Sequence, residues 1–426
     1  MKKVVVLIVS CFLMAGLYAQ DFDKYFENKT LRIEYLHIGD ANSEKFELHE
    51  YRAGGVWSGT RMYLQEPNRY GDILVEVFDS ISGEPIFSRS YSSLFNEYRA
   101  TERALKETGS FEECINVPYP KKTILYTFTS FNRRGEGTVL YKGSYSPMHS
   151  PAREFSDDYS VMTLHRGGKP EECLDILLIP DGYTKEESVK MQSDLKRFSS
   201  YIMDCSPYRE NAERVNIRAI KGYSKESGIT DPNNNVYRNT LLGCTYNVTD
   251  VDRYLMCLNV WKMNDIADDA PYDAIIIITN STKYGGGGIY NFYATVCSAA
   301  PEANFVIVHE MGHSIGGLAD EYYTSEVGVT DYYPTDVEPV EPNLTTLVDF
   351  GSKWKSMLDP NTPVPTPATS HYKETLGVYE GGGYQAEGVY RPWQHCTMKE
   401  IIYNNFCPVC TKVLNDMFNY YSNREN

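Results

Sequence analysis

The chain has 426 residues and a formal net charge of −16, with 57 acidic against 41 basic side chains. That balance argues against nucleic-acid binding, which needs clustered Lys and Arg to neutralise phosphates. The length exceeds one ordinary hydrophobic core, so at least two domains are expected.

Residues 1–19 read as an export signal. Lys2-Lys3 form the charged start, Val4 to Leu17 the apolar stretch, and Leu17-Tyr18-Ala19 the small-residue exit before Gln20-Asp21. The segment is too short and wrongly flanked for a membrane span. Lipoprotein processing at Cys11 ranks second, because it would leave almost no apolar region ahead of the cleavage point. No later run reaches membrane length, so the mature protein is expected to be periplasmic, cell-surface or secreted, without a transmembrane segment. Its 35 tyrosines against 17 phenylalanines suggest half-exposed aromatic surface suited to protein or glycan contacts.

From 20 to 150 the pattern is one of short alternating strands, such as Leu31–Tyr35, Ile73–Phe78, Ile124–Phe128 and Val139–Tyr141. Turn signals at Gly54-Gly55, Ser82-Gly83 and Arg134-Gly135 separate them. An all-β sandwich is predicted, serving as an accessory or substrate-presenting module, with brief helical character at Ala100–Thr108. Residues 151–170 read as a linker.

From 171 to 426 the pattern becomes α/β. Leu174–Pro180 is a buried strand, and Thr184-Lys185-Glu186-Glu187 a capping box that opens a helix carrying Leu195, Phe198 and Ile202 on one face. Val215–Ile220 and Ala274–Ile278 read as further strands, and Val248–Trp261 as a helix. Residues 338–394 are rich in proline and glycine and are predicted mostly as loop walling a cleft. Cys407–Tyr420 closes the chain as a helix.

The chemistry concentrates in His309-Glu310-Met311-Gly312-His313-Ser314-Ile315-Gly316-Gly317-Leu318-Ala319-Asp320-Glu321. On a helix, His309 and His313 lie on one face and can present two imidazoles to one zinc ion. Glu310 stands beside them, placed to take a proton from the water that the metal activates. Pro301-Glu302 supplies a helix start. A catalytic zinc needs a third protein ligand. A thermolysin-like plan would draw it from a distant helix, with Glu326 and Glu338 as candidates. A metzincin-like plan would end the helix at glycine and swing a nearby residue back. Gly316-Gly317 provides that turn, and the usual position, ten residues after His309, is Ala319. Asp320 is therefore the preferred ligand and Glu321 the alternative. Cys396-Thr397-Met398 resembles the metzincin turn whose methionine, here Met398, floors the histidines.

Without Cys11 nine of the ten cysteines remain, an odd number that leaves at least one thiol unpaired. Cys407-Pro408-Val409-Cys410 has the spacing of half a zinc knuckle, yet no second C-x-x-C completes four ligands. A disulfide from Cys396 to Cys407 or Cys410 is the preferred reading.

The chain resembles the bacterial IgA peptidase family, metallopeptidase family 64. The resemblance rests on Asp181-Gly182-Tyr183-Thr184, Tyr284-Gly285-Gly286-Gly287-Gly288, His309 to Tyr322, Gly388-Val389-Tyr390-Arg391-Pro392, Cys396-Thr397-Met398 and Phe406-Cys407-Pro408-Val409-Cys410. It implies zinc-dependent endopeptidase activity in a metzincin-like domain, with one catalytic Zn2+ and a protein or glycoprotein substrate. It leaves that substrate's identity open. Gly285, Gly286, Gly287 and Gly288 form a candidate edge against which substrate lies extended. Tyr390, Arg391 and His395 are candidates for oxyanion stabilisation. A competing reading is a surface or glycan-binding protein whose zinc is structural or vestigial.

Overall fold

The computed structural model describes residues 21–156, 158–323, 332–400 and 405–422. The export segment with Cys11, and Glu326, lie outside these residues.

Eight strands build the N-terminal region: β1 (Phe26–Gly39), β2 (Glu44–Gly54), β3 (Ile73–Asp79), β4 (Pro85–Tyr91), β5 (Gly109–Pro120), β6 (Ile124–Phe131), β7 (Gly137–Tyr145) and β8 (Arg153–Glu154). They form two four-stranded sheets, ordered β5-β1-β2-β8 and β4-β3-β6-β7. Alternate residues point inward, so Ile33 and Tyr35 of one sheet share a core with Val75, Val77, Tyr126 and Phe128 of the other. The one helix of more than a single turn here, α2 (Leu94–Arg99), follows the four-residue α1 (Phe22–Tyr25) and precedes the stretch Ala100–Thr108 predicted as helical. Its apolar Leu94, Phe95 and Tyr98 are buried, and the polar residues after it make turns instead.

The rest is built on a six-stranded mixed sheet, ordered β13-β14-β12-β10-β11-β9. Its strands are β9 (Val161–Arg166), β10 (Leu174–Asp181), β11 (Val215–Ile220), β12 (Ala274–Thr279), β13 (Gly286–Ile289) and β14 (Tyr293–Cys297). The four inner strands run parallel, and both edge strands are antiparallel to their neighbours. In β10, Leu174, Ile176 and Leu178 face α3 (Ser188–Asp204), α5 (Ala303–Gly316) and α6 (Pro408–Ser422), while Leu177 and Ile179 face the layer containing α4 (Val260–Ala267). Burial on both faces explains the uninterrupted apolar runs. The capping box at Thr184–Glu187 is present ahead of α3.

Two further expectations differ from the structure. The stretch 151–170, read as a linker, supplies β8 and the edge strand β9. The helix expected over Val248–Trp261 begins only at Val260, because Asn247, Thr249 and Asp250 take positive φ in a tight turn that brings Met256 back beside Thr245. The irregular 338–394 stretch holds short 3-10 turns and one hairpin, β15 (Tyr379–Gly382) with β16 (Gln385–Arg391).

The β-rich region is docked on the mixed-sheet region through buried polar contacts. Arg32 on β1 is fully buried and donates to both carboxylate oxygens of Asp268, at 2.7 and 2.8 Å, and to Glu34 at 2.8 Å. Trp261 donates its indole N–H to the Glu113 carbonyl at 2.9 Å, and Tyr254 donates its hydroxyl to Glu97 at 2.7 Å. The last of these contacts ties α2 to one rim of the cleft described next.

Candidate metal centre

Helix α5 is apolar on nearly every side, with Phe305 to Val308, Met311 and Ile315 buried. Its placement between the sheet and α6 sets the direction of the two histidines. Their Nε2 atoms lie 3.2 Å apart. Each ring is oriented from behind: His309 donates Nδ1–H to the Thr397 carbonyl at 2.9 Å, and His313 donates Nδ1–H to the Leu318 carbonyl at 2.6 Å. Those bonds leave both Nε2 lone pairs free to face a common point.

The helix ends at Gly317, whose φ of 60° is left-handed, and Leu318 N–H returns to the Gly312 carbonyl at 3.1 Å. Ala319 is then clamped by Asn343, which accepts from its N–H at 2.8 Å and donates to its carbonyl at 2.9 Å. With Ala319 held in that way, the following residue reaches the histidines. Asp320 Oδ1 lies 3.1 Å from His309 Nε2 and 3.3 Å from His313 Nε2. Tyr384 donates its hydroxyl to Asp320 Oδ2 at 2.5 Å. Glu321 turns the other way and is fully buried, its Oε1 accepting from Asn343 at 3.0 Å.

Asp320 Oδ1 is buried without a hydrogen-bond partner. Together with the two imidazole Nε2 atoms, which would bind a metal in their deprotonated form, it makes a donor set suited to zinc. The edges of the triangle match the roughly 3.3 Å separation of ligands placed tetrahedrally about 2.0–2.1 Å from zinc. Burial works against a charged Asp320, but the two imidazoles outweigh it and hold the carboxyl well below its ordinary range. Burial likewise opposes a charged His313, and Asp320 overrides it, raising the imidazole to about 9. Burial raises the Glu310 carboxyl above its ordinary value, while the histidines pull the other way.

Met398 is fully buried beneath the helix, where a Cβ on Gly312 would come within 2.5 Å of its Sδ. Glu321 N–H donates to the Met398 carbonyl at 2.7 Å, which ties the segment after the glycine turn to the methionine turn.

A cleft of ≈ 960 Å³ opens over the triad. His309, Glu310, His313 and Asp320 line one side, and Tyr70, Asn96, Glu97 and Arg133 from the β-rich region line the other. Gly286, Gly287 and Gly288 also line it, within the edge strand β13. Part of that edge is taken by a bridge from Tyr254 to Gly286. The glycines are needed for packing as well, since a Cβ on Gly288 would sit 2.3 Å from the Glu310 carbonyl oxygen.

Several candidates are placed elsewhere. Glu338 accepts from the Asp349 N–H at 2.9 Å, within its own loop. Arg391 is buried in the hairpin, donating to the carbonyls of Glu380, at 2.7 Å, and Gly381. Among the described residues, Tyr390, Arg391 and His395 do not line the cleft. Tyr322, Tyr384 and Arg253 do, along with Glu97. Tyr322 closes the motif stretch that begins at His309, whereas no local pattern marks the other three, since each arrives from a different loop or helix. The nine cysteines among the described residues are all free, so the structure does not contain the expected disulfide from Cys396.

The architecture is thus a mixed α/β domain with a two-histidine, one-carboxylate centre and an adjacent glutamate, in a cleft shared with a β-rich region. The chain belongs to the IgA peptidase M64 family, whose model matches residues 162–375 and 368–418. The model of the Peptidase M64 N-terminus matches residues 21–142. The protein is therefore a peptidase. A comparison with curated protein sequences gives no match.

Proposed function

We propose that this protein is an exported, zinc-dependent endopeptidase of metzincin-like plan, acting on proteins or glycoproteins. His309, His313 and Asp320 would hold the metal, and the unpartnered Asp320 Oδ1 between two oriented imidazoles carries that assignment. When bound, zinc supplies Lewis-acid polarisation of water and of the scissile carbonyl.

The protein's own groups do the rest. Glu310 accepts a proton from the attacking water and delivers it to the leaving amine, a role suited to a carboxylate whose basicity is raised by burial. Thr397 and Leu318 carbonyls keep the imidazoles in the tautomer that presents Nε2. Met398 supports the helix from below. The glycines of β13 allow an extended substrate backbone to approach the cleft floor. The open cleft, walled in part by the β-rich region, favours an internal segment of a polypeptide over a free terminus. The charged and apolar start of the chain, Lys2 to Leu17, supports export.

The test is cleavage of a proteome-derived peptide mixture by the purified mature chain, with and without a zinc chelator. Internal cleavage that is lost on chelation and restored by zinc is expected. Fully zinc-loaded protein that cleaves nothing, yet binds a surface or glycan, would overturn the proposal.

A further inference from the structure

Below the histidine centre, four more potential ligands converge. Glu321, Cys396, Cys407 and Cys410 are all buried, and their ligand atoms lie within 4.8 Å of one another. Cys396 Sγ and Cys410 Sγ are 3.9 Å apart, close to the roughly 3.8 Å edge of a tetrahedron built on zinc–sulfur bonds of about 2.3 Å. Glu321 Oε1 lies 3.3 Å from Cys410 Sγ. Glu321 Oε2 is buried with no hydrogen-bond partner, although the residue is 0% exposed. A carboxylate so placed requires a cation or must stay neutral.

Two of the three sulfurs accept backbone N–H groups, as thiolates at structural metal sites do. Cys407 N–H donates to Cys396 Sγ at 3.3 Å, and Cys410 N–H donates to Cys407 Sγ at 3.4 Å. Both cysteines of the C-x-x-C stand at the start of the fifteen-residue helix α6, whose N-terminal dipole favours negative sulfur. The half-knuckle without a partner in the sequence is completed in space by Cys396 and Glu321.

We infer that Glu321, Cys396, Cys407 and Cys410 form a second, structural site for a zinc-type divalent ion, separate from the histidine centre. Three thiolates and one carboxylate carry the same formal charge as a four-cysteine zinc site, and no open position remains for water. Such an ion would bolt together α6, the Cys396–Met398 turn and the segment carrying Asp320. It would therefore position the histidine centre without touching substrate.

The experiment uses the mature chain, purified under reducing conditions and reconstituted with cobalt(II). Two metal equivalents per chain and a thiolate-to-cobalt charge-transfer absorption are expected. The paired substitution His309→Ala and His313→Ala should remove one equivalent and leave that absorption intact, whereas Cys396→Ser with Cys410→Ser should abolish it. The wild-type cobalt spectrum alone is decisive should the cysteine variant fail to fold. A single metal equivalent with no thiolate absorption would overturn the inference. So would alkylation and intact-mass data showing a disulfide between two of Cys396, Cys407 and Cys410.

Discussion

Asp320 and Glu321 are chain neighbours whose carboxylates enter different buried clusters. Asp320 Oδ1 sits 3.1 Å from His309 Nε2, and Glu321 Oε1 sits 3.3 Å from Cys410 Sγ. The backbone between them is fixed on both sides, by Gly383 N–H to the Asp320 carbonyl at 2.9 Å and by Glu321 N–H to the Met398 carbonyl at 2.7 Å.

That divergence makes the two substitutions distinguishable. Asp320→Ala is expected to raise the free zinc concentration for half-maximal cleavage by more than about 100-fold, since even partners behind a ligand are typically worth 10–100-fold in affinity. Glu321→Gln should shift it far less. Zinc-buffered activity titrations measure both, and the reverse ordering would mean that Glu321 rather than Asp320 serves the histidine centre.

Glu310→Gln keeps the shape of the side chain and removes the base. Its kcat/KM should fall by about 10²–10⁴-fold while histidine-site metal is retained, the usual range for loss of general acid–base catalysis. Metal analysis and peptide cleavage on the same sample check the split. A variant that keeps full activity would remove Glu310 from the mechanism.

Met398 is enclosed beneath Gly312, so Met398→Ala leaves a cavity under the histidine helix. A stability loss of about 2–5 kcal/mol is expected by denaturant unfolding, and Met398→Leu should recover most of it. Equal losses for the two variants would argue against a packing role.

Gly288→Ala tests the close approach of β13 to α5. The added methyl would meet the Glu310 carbonyl oxygen, a backbone atom that cannot rotate aside. Overpacking of this kind costs about 1–3 kcal/mol, and the displaced helix should also lose activity. Thermal unfolding and cleavage rates together report it, and a variant with wild-type values for both would show that the strand and helix have room to spare.

Glu97 faces the cleft from α2, and burial raises its carboxyl to about 7, against a smaller opposing effect of the Tyr254 hydroxyl. The folded protein thus keeps a proton that the unfolded chain releases near its ordinary value of 4.5. The stability this lends is complete below the unfolded value and is lost as pH rises through about 7. Glu97→Gln should therefore melt above wild type at pH values beyond 7, with the gain shrinking towards acidic pH. Melting curves across that range check the sign, and a gain that grows on acidification would contradict it.

Local periodicity carried much of this protein in plain view. Helix geometry alone puts His309 and His313 on one face, glycine chemistry ends the helix at Gly317, and uninterrupted apolar runs mark β10 and β12 as strands buried on both faces. Contacts between distant residues decided the remainder. Asn343, 24 residues beyond Ala319, sets which carboxylate faces the histidines. Cys410, 89 residues beyond Glu321, belongs to the cluster that receives the other. Docking of the β-rich region brings Glu97 to the cleft, 157 residues from its partner Tyr254. Spacing along a helix is encoded by its neighbours in the chain, whereas the direction of a loop side chain is set by whatever packs against it from elsewhere, and that second kind of information exists only once the chain has folded.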